Sequence, residues 1–412
     1  MVKYIPKLGA TKFIELEDTP NSYVGQAGKD VRVKATEDGL VFLTHDWISG
    51  WNYRKKITIS GSPGAGTNYQ VLLKVGESAG ATGAHFHVEG HSALFPSGQN
   101  NSGDLRFTDN DGITLLPFWV ETVTGTSPNR VAYCWVKVAK DLSINRNIYC
   151  YYGNPNAENV SDITNIFIRI IDGAQPLKGS WHFDEGSGTT AYDTSGNNNH
   201  GTLYNGPTWV NGKFKYALRF DGVDDYVEVP HSASLNPIYQ ISIEGWFYWL
   251  GPTTQSAQNG IRKQNQYLLF YWDNNTYFVN TFAIRSAGTW YYINLGDIRY
   301  EIMNQWTHWV GTFDGKVLKL YINNVLRGSL TYTGTIDQTY NPLQIGREPY
   351  GWFYNGIIDE IRIYNRALTA EEISYLYNYH GYTTPNYPGK VLVKKYVSPE
   401  PAFSSAGPEE TP

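Results

Sequence analysis

Methionine and cysteine are nearly missing from this sequence, with two of each among 412 residues. Two cysteines cannot define the disulfide framework that staples small secreted domains. Cys134 and Cys150 lie 16 positions apart in strand-like runs. That leaves open one bridge across a hairpin or two buried thiols, the thiols being the commoner outcome. Charge is sparse as well. Asp, Glu, Lys and Arg make up 17% of the chain, and 33 basic against 38 acidic residues leave a net charge of −5. Without a basic excess there is no electrostatic footprint for phosphates, so nucleic acid is not an expected partner. No apolar run approaches the ~18 residues of a membrane span. The start, Met1-Val2-Lys3-Tyr4-Ile5-Pro6, has no hydrophobic h-region. A secretory signal is therefore expected to be absent, either trimmed or never needed.

What the chain holds in quantity is aromatic or turn-forming: 32 Tyr, 13 Trp, 41 Gly and 20 Pro. Aromatics suit a pleated, half-buried surface, and Gly and Pro punctuate turns. The composition is that of turn-rich β-sandwiches, often extracellular, and it excludes coiled coil, collagen and wholesale disorder. At ~100–200 residues per domain the length allows two to three domains.

Residues 1–46 carry short strand-like pieces between turn residues, among them Val31-Arg32-Val33 and Leu40-Val41-Phe42. So short a segment rarely folds alone. Leu16, Asp18, Thr19, Pro20, Ser22, Tyr23, Gly25, Gln26, Ala27, Gly28, Lys29, Val33, Gly39, Leu40 and Phe42 resemble a short N-terminal module of phage and archaeal-virus tail-fibre proteins. The resemblance implies an arm that assembles from several chains, with a homotrimer the first choice. Residues 47–156 alternate apolar and polar positions at antiparallel-sandwich spacing. Trp51-Asn52-Tyr53-Arg54-Lys55, Asp104-Leu105-Arg106-Phe107-Thr108-Asp109 and Tyr151-Tyr152-Gly153-Asn154-Pro155 resemble a family of unknown function. Its members sit beside laminin-G-like domains in archaeal and bacterial surface proteins. Residues 157–176 read as a connector.

Residues 177–380 hold Trp181-His182-Phe183-Asp184-Glu185, Phe220-Asp221-Gly222 and Ile357-Ile358-Asp359-Glu360-Ile361-Arg362-Ile363-Tyr364. A short amphipathic helix is predicted after them, with Thr369 and Glu372 as a capping box. These motifs, in this order, resemble the concanavalin-A-like, laminin-G-type jelly roll. Trp181, Trp246 and Trp309 are assigned to its core. Residues 381–412 form a Pro-rich tail with one strand-like piece, Lys390-Val391-Leu392-Val393-Lys394, and its last ten or so residues are expected to be solvated.

That fold hosts both lectins and glucanases, so it does not choose a function. Glucanases similar in fold carry a Glu-x-Asp-x-(x)-Glu run that sets two carboxylates on one strand face. This chain has none. Glu244 stands alone, and Asp359 and Glu360, being adjacent, should face opposite sides of a strand. Related jelly rolls hold a structural calcium where the first and last strands meet. The resemblance carries that ion to Asp184 and Asp359, with Asp193 and Asp221 as further ligands. Such acids also cap turns by default, and calcium asks for six to eight oxygens. Asp109-Asn110-Asp111-Gly112 looks like a scrap of a calcium loop, but a plain turn is favoured. If the run from His85 to His91 is extended, His85, His87, Glu89 and His91 share one face and suit a transition metal. A polar face in a Gly-rich loop is the preferred alternative.

Aromatic residues cluster in the loops and strand ends of the third unit. Trp272, Trp290, Tyr350 and Trp352 are the expected ligand-binding residues, because flat rings stack on sugars and anchor interfaces. The chain is thus expected to be all-β: an extended N-terminal arm plus two tandem antiparallel β-sandwiches, the second a concanavalin-A-like jelly roll. The expected function is a non-enzymatic virion or cell-surface adhesin, similar to a tail fibre, recognising a surface glycan or a protein receptor. The alternatives are a structural subunit of a virion or extracellular filament, and a secreted carbohydrate-active enzyme.

Overall fold

The computed structural model describes residues 29–33, 40–44, 46–91, 103–173, 176–253, 257–273, 281–349 and 351–412, with the backbone alone for 29–33, 40–44 and 271–273. In the N-terminal segment Lys29–Val33 pairs antiparallel with Leu40–Thr44, placing Val31 opposite Phe42. The rest of the motif that resembles a fibre module, and the question of what covers its apolar side chains, lie outside the described residues.

The first sandwich has two four-stranded sheets. One runs Ala402–Glu410, Tyr53–Ser60, Arg146–Tyr152, Arg106–Asp109; the other runs Phe86–His87, Tyr69–Gly76, Val131–Val138, Phe118–Thr124. Alternation does what the sequence requires: Ile57 and Ile59 turn inward while Lys56 and Thr58 stay partly exposed. Cys134 and Cys150 are free and buried in this core. Burial pushes both thiols up, so they stay protonated and inert.

The solvated tail does not survive. Ala402–Glu410 is an edge strand of the first sandwich, with Ala402 opposite Ser60 and Glu410 opposite Arg54. Arg54 Nε donates to Glu410 at 2.7 Å, Tyr152 Oη donates to Glu409 at 2.8 Å, and the Phe403 ring stacks on His85 at 4.9 Å. The composition misleads because an edge strand needs one row of backbone partners and few buried side chains. A strand from the far C-terminal end therefore completes the sandwich that Tyr53–Ser60 begins.

A three-stranded sheet joins the two units: Arg169–Ile171, Val391–Lys394, His380–Tyr382. Two of its three strands come from the expected connector and tail, and the third straddles the expected jelly-roll boundary. Beside it Trp119, Trp135, Ile166, Phe167 and Leu392 form a small apolar core.

The second sandwich stacks two eight-stranded sheets. Its inner-strand sequence in one sheet is Tyr216–Asp221, Asn355–Tyr364, Ile241–Trp249, Trp306–Phe313, Val317–Ile322, with Leu177–Trp181 added on Asn355–Tyr364. The other runs Thr190–Ala191, Gly201–Tyr204, Tyr226–Val229, Leu343–Ile345, Ala257–Lys263, Tyr267–Asp273, Thr281–Ser286, Thr289–Asn294. The protein is all-β, and this unit is the concanavalin-A-like jelly roll. Trp181 and Trp309 lie between its sheets, as expected. Trp246 is buried but faces away from that core. Period-two alternation sends Ile243 and Phe247 inward and Trp246 outward, where it stacks on His308 and Tyr377. The helix Ala370–Asn378 covers this outer face and starts at the full capping box of Thr369 and Glu372.

Candidate functional site

The outer face of the second eight-stranded sheet collects rings and cations. The cross-strand register lines up Thr202, Glu228, Gln344, Arg262, Leu268, Ala283 and Tyr292. In Thr289–Asn294, Tyr291 and Ile293 pack inward, so Trp290 and Tyr292 point out. A short hairpin, Arg347–Glu348 paired with Trp352–Phe353, folds against Ala257–Lys263.

Arg262 is the hub. Its guanidinium lies over the Trp290 ring at 5.5 Å and pairs with Glu348 at 2.5 Å, and Glu348 stands opposite Trp352 in the hairpin. Two of the expected ligand-binding residues, Trp290 and Trp352, are thus brought to one place. Both are half-buried. Of the other two, Tyr350 and the Trp272 side chain lie outside the described residues. A second cation extends the ledge: Arg347 sits over Tyr226 at 4.5 Å and over Phe353 at 5.8 Å, and Tyr226 stacks on Tyr204 at 4.9 Å. The sequence reading missed Arg262, Arg347 and Tyr226, since nothing local marks an arginine that pairs across strands.

This face is also polar without being satisfied. The Asn259 amide is fully buried, yet among the described residues neither its oxygen nor its nitrogen has a partner. Gln258 turns inward to accept the Trp249 indole N–H at 2.5 Å, which sends Asn259 to the outer face. Thr281 Oγ1, Arg262 Nε and Arg347 Nε are likewise buried and unpaired among the described residues. Each such group costs about 1–3 kcal/mol if it stays unmade, so their gathering on one face marks a place suited to a polar ligand.

The expected calcium ligands scatter. Asp193 accepts from the backbone N–H of Ser180, Ser195 and Asn199 and from Ser195 Oγ, which fills both its oxygens. Asp221 accepts from the N–H of Val223 and Asp224 in its own turn. Both behave as turn organisers. Asp184 accepts from Lys215 Nζ at 3.1 Å and from the Tyr216 N–H, and burial pushes its carboxyl up. Asp359 is fully buried. Burial, and then the neighbouring Glu360, push its carboxyl far above the usual range, with Asp184 adding to the effect. Its Oδ2 accepts from the Phe214 N–H, while Oδ1 has no partner among the described residues. Asp184 and Asp359 are therefore within electrostatic reach, but Asp193 and Asp221 do not join them in any three-ligand group among the described residues.

Asp359 and Glu360 do not diverge as adjacent strand residues should. Glu360 and Ile361 together oppose Gly245 alone, and Glu360 has φ of +55°. This β-bulge inserts a residue and re-aims the side chain. Glu360 Oε1 then meets His182 Nδ1 at 2.7 Å and His380 Nε2 at 3.2 Å, while Arg362 binds Oε2. Burial opposes ionisation of Glu360, but His182, Arg362 and His380 outweigh it and hold its carboxyl well below the usual range. Burial holds the His380 imidazole down to about 4. Glu244 is held by His308 Nε2 at 3.0 Å, Arg362 Nη1 at 3.1 Å and Tyr364 Oη at 2.5 Å.

The run from His85 to His91 does not form one face. Only Phe86–His87 is strand, and Glu89 has φ of +52°. His85 stacks on Phe403, Glu89 pairs with Lys55 at 2.5 Å, and His91 pairs with Glu409 at 2.9 Å. Asp109-Asn110-Asp111-Gly112 closes a plain turn, with Asp111 accepting from Thr114.

Residues 221–374 match the profile of the concanavalin A-like lectin/glucanases superfamily, and residues 101–198 match a domain of unknown function, DUF2341. No curated protein matches the sequence. Solved structures similar to this chain include the binding domain of Paraclostridial mosquitocidal protein 1, at 18% identity and TM-score 0.41, covering 49% of this chain and 52% of that one. Another is domain 4 of AbnA, a GH43 extracellular arabinanase from Geobacillus stearothermophilus, in complex with arabinotriose. It is 22% identical at TM-score 0.40, covering 49% of this chain and 98% of that one. The botulinum neurotoxin serotype D binding domain is 16% identical at TM-score 0.39, covering 49% and 51%. The match thus spans about half the length of the two toxin domains.

Proposed function

We propose that this chain is a non-enzymatic surface-recognition protein whose second sandwich binds a glycan on the outer sheet face. The carrying observation is that Arg262 lies over Trp290 and pairs with Glu348, which stands opposite Trp352, on a sheet face that also carries the buried Asn259 amide and Thr281 hydroxyl, unpaired among the described residues. Rings supply stacking area at low entropy cost, and unpaired polar atoms supply hydrogen bonds to hydroxyls. The test is binding to an array of oligosaccharides by the full chain and by Trp290→Ala and Trp352→Ala variants.

The same glycans should be recovered uncleaved. Retaining hydrolysis needs two free carboxylates about 5 Å apart, whereas Glu348 is paired with Arg262 and Glu244 is bound on three sides behind the other sheet. A calcium ion at Asp184 and Asp359 belongs to the proposal as a structural element, favoured by the orphaned Asp359 Oδ1.

The setting we propose is a virion or an extracellular surface, with a tail-fibre-like arm that trimerises the chain. Among the described residues the hairpin of Lys29–Val33 and Leu40–Thr44 pairs with no third strand, which favours pairing between chains at its edges. Removing residues 1–45 should convert a trimer to a monomer in light scattering; an unchanged mass would place assembly in the sandwiches.

A further inference from the structure

We propose that His182, Glu360 and His380 form a binding site for one zinc-class divalent transition ion, on the face of the first eight-stranded sheet that the helix covers. The site is remote from the glycan face and independent of it.

The three residues come from three separate elements. His182 follows the first strand, Glu360 sits in the bulge of the last, and His380 opens the strand after the helix. All three are buried, and one ligand atom from each lies within 4.8 Å of the other two. Two imidazoles and one carboxylate form the donor set that zinc takes with one position left open. Oxygen-only calcium chemistry does not suit it.

His182 and Glu360 have the outer contacts of metal ligands, and the His380 ring is held by stacking. Arg362 occupies Glu360 Oε2, so Oε1 is the oxygen that both imidazoles face. With His182 Nδ1 on the ion, Nε2 carries the proton and donates to Thr383 Oγ1, 2.7 Å away. Thr383 is itself bound to Ser180 and Thr194 hydroxyls. Such second partners fix the tautomer and orientation of a ligating histidine. His380 Nδ1 is buried, and no described residue bonds it. The Phe214 ring stacks on the His380 imidazole at 4.6 Å and fixes its plane.

Access exists too. A cleft of about 360 Å³ opens on His182 and His380, walled by Asp184, Lys215, Tyr382 and Thr383. It gives an ion an entry path and water for the fourth position. Loading needs no oxidant and no imidazolate: each ring keeps one proton, which passes through solvent from the nitrogen facing Glu360 (His182 Nδ1, His380 Nε2) to its other nitrogen, and the freed nitrogens and Glu360 Oε1 turn to the ion.

The experiment uses the full chain, stripped of metal and kept in calcium-saturated buffer so that an oxygen-ligand site cannot take up the probe. Zinc is titrated by calorimetry, and cobalt(II) is added in parallel for its visible spectrum. The account expects one zinc per chain and the intense visible bands of four-coordinate cobalt. His182→Ala, at the cleft wall, should bind zinc at least about tenfold more weakly, in line with the loss of a metal-site partner. Circular dichroism checks that this variant folds. Should it fail to fold, zinc-edge X-ray absorption of the wild type decides, with two imidazole ligands expected. No zinc binding, six-coordinate cobalt, zinc retained by folded His182→Ala, or an absorption spectrum without imidazole overturns the proposal.

Discussion

Tyr382 Oη lies 3.0 Å from Glu121 Oε2, so a residue from just beyond the jelly-roll helix donates to a carboxylate of the first sandwich. Thr384 Oγ1 and Asn386 Nδ2 add bonds to Oε1 at 2.5 and 2.9 Å, and the Trp135 indole donates to Oε2 at 2.8 Å. With four kinds of donor converging on it, Glu121 is the polar latch beside the Trp119, Trp135 and Phe167 cluster.

Replacing that latch should separate the two sandwiches energetically. Glu121→Ala leaves several buried donors unpaired, at a cost on the order of 3 kcal/mol. Calorimetry of the wild type should show the units melting together, and of the variant two resolved transitions. A single unshifted transition would mean that the apolar cluster alone couples them.

The returning C-terminal strand makes a second prediction. Ending the chain at Pro401 removes one of the two backbone partners of Tyr53–Ser60 and the Phe403 ring from His85. The first sandwich should then melt lower by at least about 5 °C, since 1 kcal/mol moves a domain of this size by a few degrees. Exposing the Tyr53–Ser60 edge should also promote association between chains. A truncated protein with wild-type melting and solubility would show the strand to be dispensable.

Calcium removal tests the pairing of Asp184 with Asp359. Ligand bound by the folded state alone adds RT ln(1 + [L]/Kd), roughly 2.7 kcal/mol at a hundredfold excess over Kd. Calcium added to chelator-treated protein should raise the melting temperature of the wild type and leave Asp359→Asn unmoved. Equal curves with and without calcium would remove the ion from the account.

Much of the fold was legible because period-two patterning fixes which face each strand buries. Ile57 and Ile59 in one unit and Trp309 in the other went where alternation sends them. Trp246 was misassigned because burial has two sides in this jelly roll: its outer sheet face is roofed by the helix, and alternation alone does not reveal a roof. The tail strand escaped notice since an edge partner contributes backbone bonds rather than apolar side chains. Trp290 and Trp352 were singled out by their ring chemistry, whereas Arg262, Arg347 and Asn259 were not, because their positions on the proposed face arise from cross-strand neighbours distant in sequence. The His182, Glu360 and His380 cluster was hidden by one bulged residue, as an unbulged strand would point Glu360 away from Asp359.

The most direct test of the central claim is binding of the full chain to an immobilised array of neutral and acid-bearing oligosaccharides. Wild type, Trp290→Ala, Trp352→Ala and, as a control off the site, Trp209→Ala would be compared at matched concentration. The account predicts that wild type and Trp209→Ala bind the same glycans. Loss of either ring at Arg262 should weaken that binding about tenfold or more, equivalent to 1.4 kcal/mol. Absence of glycan binding by the wild type, or binding that survives both Trp290→Ala and Trp352→Ala, would contradict it.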